Sequence, residues 1–169
     1  MKKTATAILL VLSFVAMSSG RVLATTVWYD VAALPAGRFE YTYEVVNDTL
    51  PIAIEQFTIW FSESLYHDLQ VTTQPPLSGN WNENIFQSTP FGLPFGYDAI
   101  AFVIPISPQT SQGGFAVSVD WLGQGVPASQ FYEIVDPSDG HTLDSGYTVP
   151  EPATWLLLFF FFPILRRKL

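Results

Sequence analysis

Apolar and polar residues alternate strictly from position 38 to 45: Phe39, Tyr41, Tyr43 and Val45 fall on one face, Arg38, Glu40, Thr42 and Glu44 on the other. A period of two is the mark of a half-buried strand. The segment 52–62 repeats it, with Phe57, Ile59 and Phe61 opposite Thr58 and Trp60. Further strand-like runs at 26–32, 66–72, 81–87, 97–104, 114–122, 130–135 and 142–148 complete the series. Turn-forming clusters separate several of them, among them Asn47-Asp48, Pro75-Pro76, Gly113-Gly114 and Gly123-Gln124-Gly125. No stretch holds a 3.6-residue period over three turns. About nine short strands spaced by turn signals predict an all-β chain, an antiparallel β-sandwich occupying 25–149 as one domain.

Both ends break the pattern. Lys2 and Lys3 precede an apolar run between Ala5 and Ala16, and Val22-Leu23-Ala24 offers modest or small residues to a signal peptidase. The run is shorter than the ~20 residues a spanning helix needs, so 1–24 reads as a signal peptide cut before Thr25. At the other end Pro150, Glu151 and Pro152 form a stiff, extended spacer, because each proline fixes its own φ and restricts the residue before it. A hydrophobic membrane segment follows: Trp155, Leu156, Leu157, Leu158, Phe159, Phe160, Phe161, Phe162, Pro163, Ile164 and Leu165. Arg166, Arg167 and Lys168 close the chain as a basic stop that stays cytoplasmic. As a helix, 155–165 spans about 17 Å against a hydrocarbon core of about 30 Å, so the anchor is weak and suited to a temporary role.

The order spacer, hydrophobic segment, basic tail resembles the PEP-CTERM sorting signal of exported bacterial proteins. Pro150, Glu151 and Pro152 match its motif, 155–165 its membrane helix, and Arg166, Arg167 and Lys168 its tail. The resemblance implies a Gram-negative, polysaccharide-producing host and processing by an exosortase. It also implies a protein anchored transiently in the inner membrane, then carried to the envelope surface or the extracellular matrix. The stretch 119–137 is similar to uncharacterised ectodomains that precede this signal and supplies no activity.

Charge and composition narrow the chemistry of the body. Residues 25–149 hold 14 of the 15 acidic side chains and one of the seven Lys and Arg, Arg38, for a net charge of −13. A surface of that sign repels phosphate backbones, which excludes nucleic acid as a partner. Twenty aromatic residues in the same stretch give it the means to build a core. The absence of cysteine removes disulfides, thiolate metal sites and cysteine catalysis. His67 and His141 stand 74 positions apart with no metal-ligand spacing around either, and no catalytic or cofactor motif occurs. Asp136, Asp139 and Asp144 around Gly140 are the candidate calcium ligands, with a type I turn as the preferred reading of the same residues. Of the tryptophans, Trp28 and Trp121 are expected in the core, while Trp60 and Trp81 are expected outside, where they could stack on sugar rings. Two functions follow: a non-enzymatic surface or matrix protein, or a carbohydrate-binding module acting on the exopolysaccharide. A pair of exposed aromatics in one shallow site favours the second.

Overall fold

The computed structural model describes residues 25–86 and 95–152. The expected signal peptide (1–24) and the expected membrane segment and basic stop (within 153–169) lie outside the described residues. Two five-stranded sheets face each other. The first has the order β10-β1-β2-β7-β4 and the second β5-β6-β3-β8-β9. The strands are β1 (Thr26–Ala33), β2 (Arg38–Val46), β3 (Gln56–Phe61), β4 (Tyr66–Val71), β5 (Trp81–Phe86), β6 (Phe95–Ala101), β7 (Ser111–Trp121), β8 (Phe131–Val135), β9 (Thr142–Tyr147) and β10 (Val149–Pro150). All pairings are antiparallel except β1 with β10. The protein is an all-β sandwich.

Each of the nine expected strands is present, with shifted ends. Residues 52–55 stay outside β3, and Ile54 makes only an isolated bridge to Ile106. β6 stops at Ala101 because its neighbour β5 begins at Trp81; beyond it, Phe102 and Val103 both donate to the Asn80 carbonyl. β7 starts three residues early, and Gly114 takes φ +95° where the register slips between Tyr43 and Glu44. An extra residue in a strand is cheapest where glycine can adopt that conformation. The tenth strand was not expected. It carries the fold across the 149/150 boundary into the Pro-Glu-Pro motif, where the Glu151 amide donates to the Tyr29 carbonyl at 2.9 Å.

Alternation sets the core. Tyr41, Tyr43, Val45, Phe57, Ile59, Tyr97, Phe115, Val117 and Ile134 are fully buried between the sheets. Phe57 meets Phe115 edge-on at 4.8 Å, a favoured aromatic geometry. The core also holds buried polar groups, of which Gln130 makes the most connections between the sheets. Gln130 Nε2 donates to the hydroxyls of Tyr41 (2.6 Å) and Tyr66 (3.1 Å), and its Oε1 accepts from the Tyr43 hydroxyl at 3.2 Å.

Burial raises the phenol of Tyr132 to about 12, with the Asp144 carboxylate adding to it. Burial is likewise the first cause of the upward shifts of Tyr41, Tyr43 and Tyr97. In an unfolded chain these phenols ionise near pH 10. Folding therefore holds protons that the unfolded chain releases, so stability is complete below pH 10 and is lost as pH climbs through about 12. The expected outcome is a melting temperature that holds to about pH 10 and then falls steeply. Most of the tyrosinate absorbance should appear together with the loss of β-sheet circular dichroism, not before it.

Candidate functional site

The outer face of the second sheet collects one side chain from each strand into a single transverse row. Register places Phe86 beside Gly96, Gly96 beside Trp60, Trp60 beside Phe131, and Phe131 beside Tyr147. Four aromatics and one glycine thus cross the whole sheet, a distance of about 19 Å at the usual spacing between strands. Phe86 and Tyr147 are 40% and 67% exposed, and Trp60 and Phe131 are half-buried. Trp60 and Phe86 stack with centroids 6.0 Å apart and planes 27° from parallel, while Phe131 and Tyr147 meet edge-on at 5.6 Å.

Gly96 is what lets the indole lie down. A Cβ at that position would stand 2.7 Å from Trp60 Cε3 and 3.0 Å from the Ile59 carbonyl oxygen. The other edge of the indole is pinned as well: Trp60 Nε1 donates to Glu133 Oε2 at 2.7 Å, and Glu133 Oε1 accepts from the Thr142 hydroxyl at 3.1 Å. Glu133 belongs to the neighbouring transverse row, which reads Asn84, Asp98, Thr58, Glu133, Ser145. There Asp98 Oδ1 accepts from Thr58 Oγ1 (2.7 Å) and Gln56 Nε2 (2.9 Å). The site is a half-buried aromatic strip edged by a strip of amides, hydroxyls and carboxylates.

Other expected positions fall differently. Trp81, expected at the surface as a stacking residue, is a core residue, 3% exposed and packed on Phe57 and Phe115. It sits in a polar run, but Asn82, Asn84 and Phe86 are the exposed residues of that strand and Trp81 takes the inward position opposite Ala101, which leaves room for its ring. Trp28, expected inside, is half-buried on the other face from buried Val27 and Tyr29. Trp121 packs against the core, 4.8 Å from Tyr66. The three aspartates are not brought together. Asp136 and Asp139 accept from the amides of Ser138 and His141, as turn residues do, and Asp144 Oδ2 accepts from the Thr25 amide at 2.7 Å. Among the described residues no group of three His, Asp or Glu is placed to hold a metal ion, and no helix is long and apolar enough to cross a membrane. Phe86, Phe131 and Tyr147 were missed by sequence reading; Phe86 and Phe131 carry only the weak signal of being aromatic on the polar phase of their strands.

Gly96→Ala is the sharpest probe of this geometry. A methyl group must push the indole off the sheet or shift the backbone, an overpacking cost of about 1–3 kcal/mol. The variant should melt several degrees lower and show altered tryptophan emission.

No family model matches the chain, and no curated protein matches it. Among solved structures it is similar to an uncharacterized protein from Nocardia farcinica with an immunoglobulin-like fold, at 18% identity and a TM-score of 0.50, covering 70% of this chain and 81% of that one. It is also matched by the carbohydrate-binding module CBM3b from the cellulosomal cellobiohydrolase 9A of Clostridium thermocellum, at 11% identity, with 76% and 99% of the two chains covered. The TM-score of 0.41 is too low to bear on function. The first likeness is one of fold alone, to an immunoglobulin-like arrangement.

Proposed function

We propose that this is an exported, non-catalytic β-sandwich that binds an extracellular glycan through the aromatic row of its second sheet. The observation that carries the reading is the register that brings Phe86, Trp60, Phe131 and Tyr147 into one line. Sugar rings present C–H faces that pack on aromatic faces and hydroxyl rims that need hydrogen-bond partners. An aromatic strip bordered by Asn84, Glu133 and Ser145 offers both at once. The recess lined by Thr25, Tyr132, Asp144 and Tyr147 is a poor place for catalysis, since its carboxylate is engaged by the Thr25 amide.

Two features support export and sorting. Thr25 is buried, with its amide on Asp144 and its carbonyl accepting from the Tyr132 hydroxyl. A chain cut before Thr25 would place a new α-ammonium where a carboxylate already accepts, a favourable charge-assisted contact. The Pro-Glu-Pro motif follows the last strand directly and is tied to β1 through Glu151. An exosortase would have to lift β10 from the sheet edge to draw Glu151 into its groove.

Glycan binding is tested by retention on exopolysaccharide from the host matrix. Phe86→Ala and Trp60→Ala should each weaken it about tenfold or more, equivalent to about 1.4 kcal/mol. Trp28→Ala, on the other sheet, should leave it unchanged; equal losses in all three variants would sink the site. Sorting is tested by blotting membrane and medium fractions of a strain with an exosortase. Glu151→Ala should leave signal-peptide removal intact and accumulate a slightly larger, membrane-associated form. Wild-type distribution of that variant would remove the sorting reading.

A further inference from the structure

The same face excludes a whole class of glycans by its charge. Arg38 is the only lysine or arginine in residues 25–149. It stands on the first sheet, where Nη1 meets Asp68 at 2.6 Å and Asp120 at 2.8 Å, and Nη2 donates to Ser118 Oγ and the Asp68 carbonyl. None of the five strands of the second sheet contains a cation, whereas the row beside the aromatics carries the half-buried Glu133 and, buried behind its bonds to Thr58 and Gln56, Asp98. Glu133 is fixed against Trp60, so it cannot swing away from a ligand on the indole without giving up the Nε1–H hydrogen bond. A uronate, sulfate or phosphate ester lying on this strip would meet a carboxylate and the field of an acidic domain, with no lysine or arginine side chain on the five strands of this sheet to receive it, and an α-ammonium at Thr25 would already be engaged by Asp144. Hydroxyl groups meet no such penalty, because they donate to carboxylates and both donate to and accept from side-chain amides.

Resting on the glycan-binding reading above, we infer that the ligand is an uncharged polysaccharide, lying across the strands along the line from Phe86 to Tyr147. Specificity then comes from repulsion as much as from contact, since anionic polymers of the same backbone are rejected. The aromatic strip supplies affinity and the carboxylates supply the filter.

The test uses the full chain in a detergent without a sugar headgroup, run by affinity electrophoresis through matched neutral and anionic polymers. Suitable pairs are hydroxyethyl- and carboxymethyl-cellulose, dextran and dextran sulfate, and methyl-esterified and de-esterified polygalacturonate. The expected result is retention on at least one neutral member, with its charged twin at least tenfold weaker at low salt. Raising the salt should narrow that gap by screening the repulsion, while binding to the neutral member barely changes. Trp60→Ala should weaken retention on the neutral member about tenfold or more. A charged twin that binds as well as or better than its neutral partner would overturn the inference and leave glycan binding standing. Retention on none of the six would overturn both, and a Trp60→Ala change in oligomeric state without glycan retention would assign the strip to self-association.

Discussion

The fold turns on one buried polar residue. Tyr41, Tyr43 and Tyr66 bring three hydroxyls into the space between the sheets, and each must be satisfied there or cost about 1–3 kcal/mol. Gln130 meets all three, while its own amide N–H donates to Thr148 Oγ1 and its side chain also reaches the Ala128 carbonyl. Tyr41 returns a bond to that same carbonyl at 2.8 Å. One side chain thus ties β2 and β4 of the first sheet to the segment entering β8 of the second, and through Thr148 to the strand leaving β9. An apolar residue of similar shape could fill the volume, but it would leave the Tyr43 hydroxyl unpaired and take a donor from Tyr41 and Tyr66, which would keep only each other and the Ala128 carbonyl. Because its bonds cross from one sheet to the other, the network also helps hold the two sheets in a fixed relation.

That fixed relation reaches the outer face. β8 is held from inside by Gln130 at its start and by buried Tyr132 and Ile134, so Phe131 and Glu133 must point outward. Glu133 then meets the indole of Trp60, and Gly96 supplies the flat floor on which that indole rests. The aromatic strip is therefore anchored by hydrogen bonding on one side and by the absence of a side chain on the other. A preorganised platform of this kind loses little side-chain entropy when a ligand arrives. The strip lies beside the Glu133 carboxylate, while Arg38 stands on the other sheet with its guanidinium held by Asp68 and Asp120.

The two ends of the folded body meet the same sheet edge. Thr25 enters beside Asp144 and Tyr132, and Val149 and Pro150 leave alongside Trp28 and Tyr29 of β1. Proline has no amide hydrogen to give a sheet, and an edge strand is where that lack matters least. The chain thus passes from domain to motif without a loose linker, and the motif's backbone is partly engaged by the domain that precedes it.

Much of this was legible from residue order. The alternation 38–45 named the inward face of β2, and the turn clusters placed nine strands, because the period of two is local and burial acts on each strand separately. Trp60 was assigned to the surface for the same reason. Trp81 was not placed correctly, since the polarity of its neighbours could not say which phase of the strand would meet Phe57 and Phe115. The aromatic row could not be read at all. Its members come from positions 60, 86, 131 and 147, on four strands, and their alignment depends on register and on the order β5-β6-β3-β8-β9. Sequence fixes which residues share a face of one strand. Which strands become neighbours, and in what register, is decided by long-range packing of the two sheets and by the buried hydrogen bonds that tolerate no other pairing.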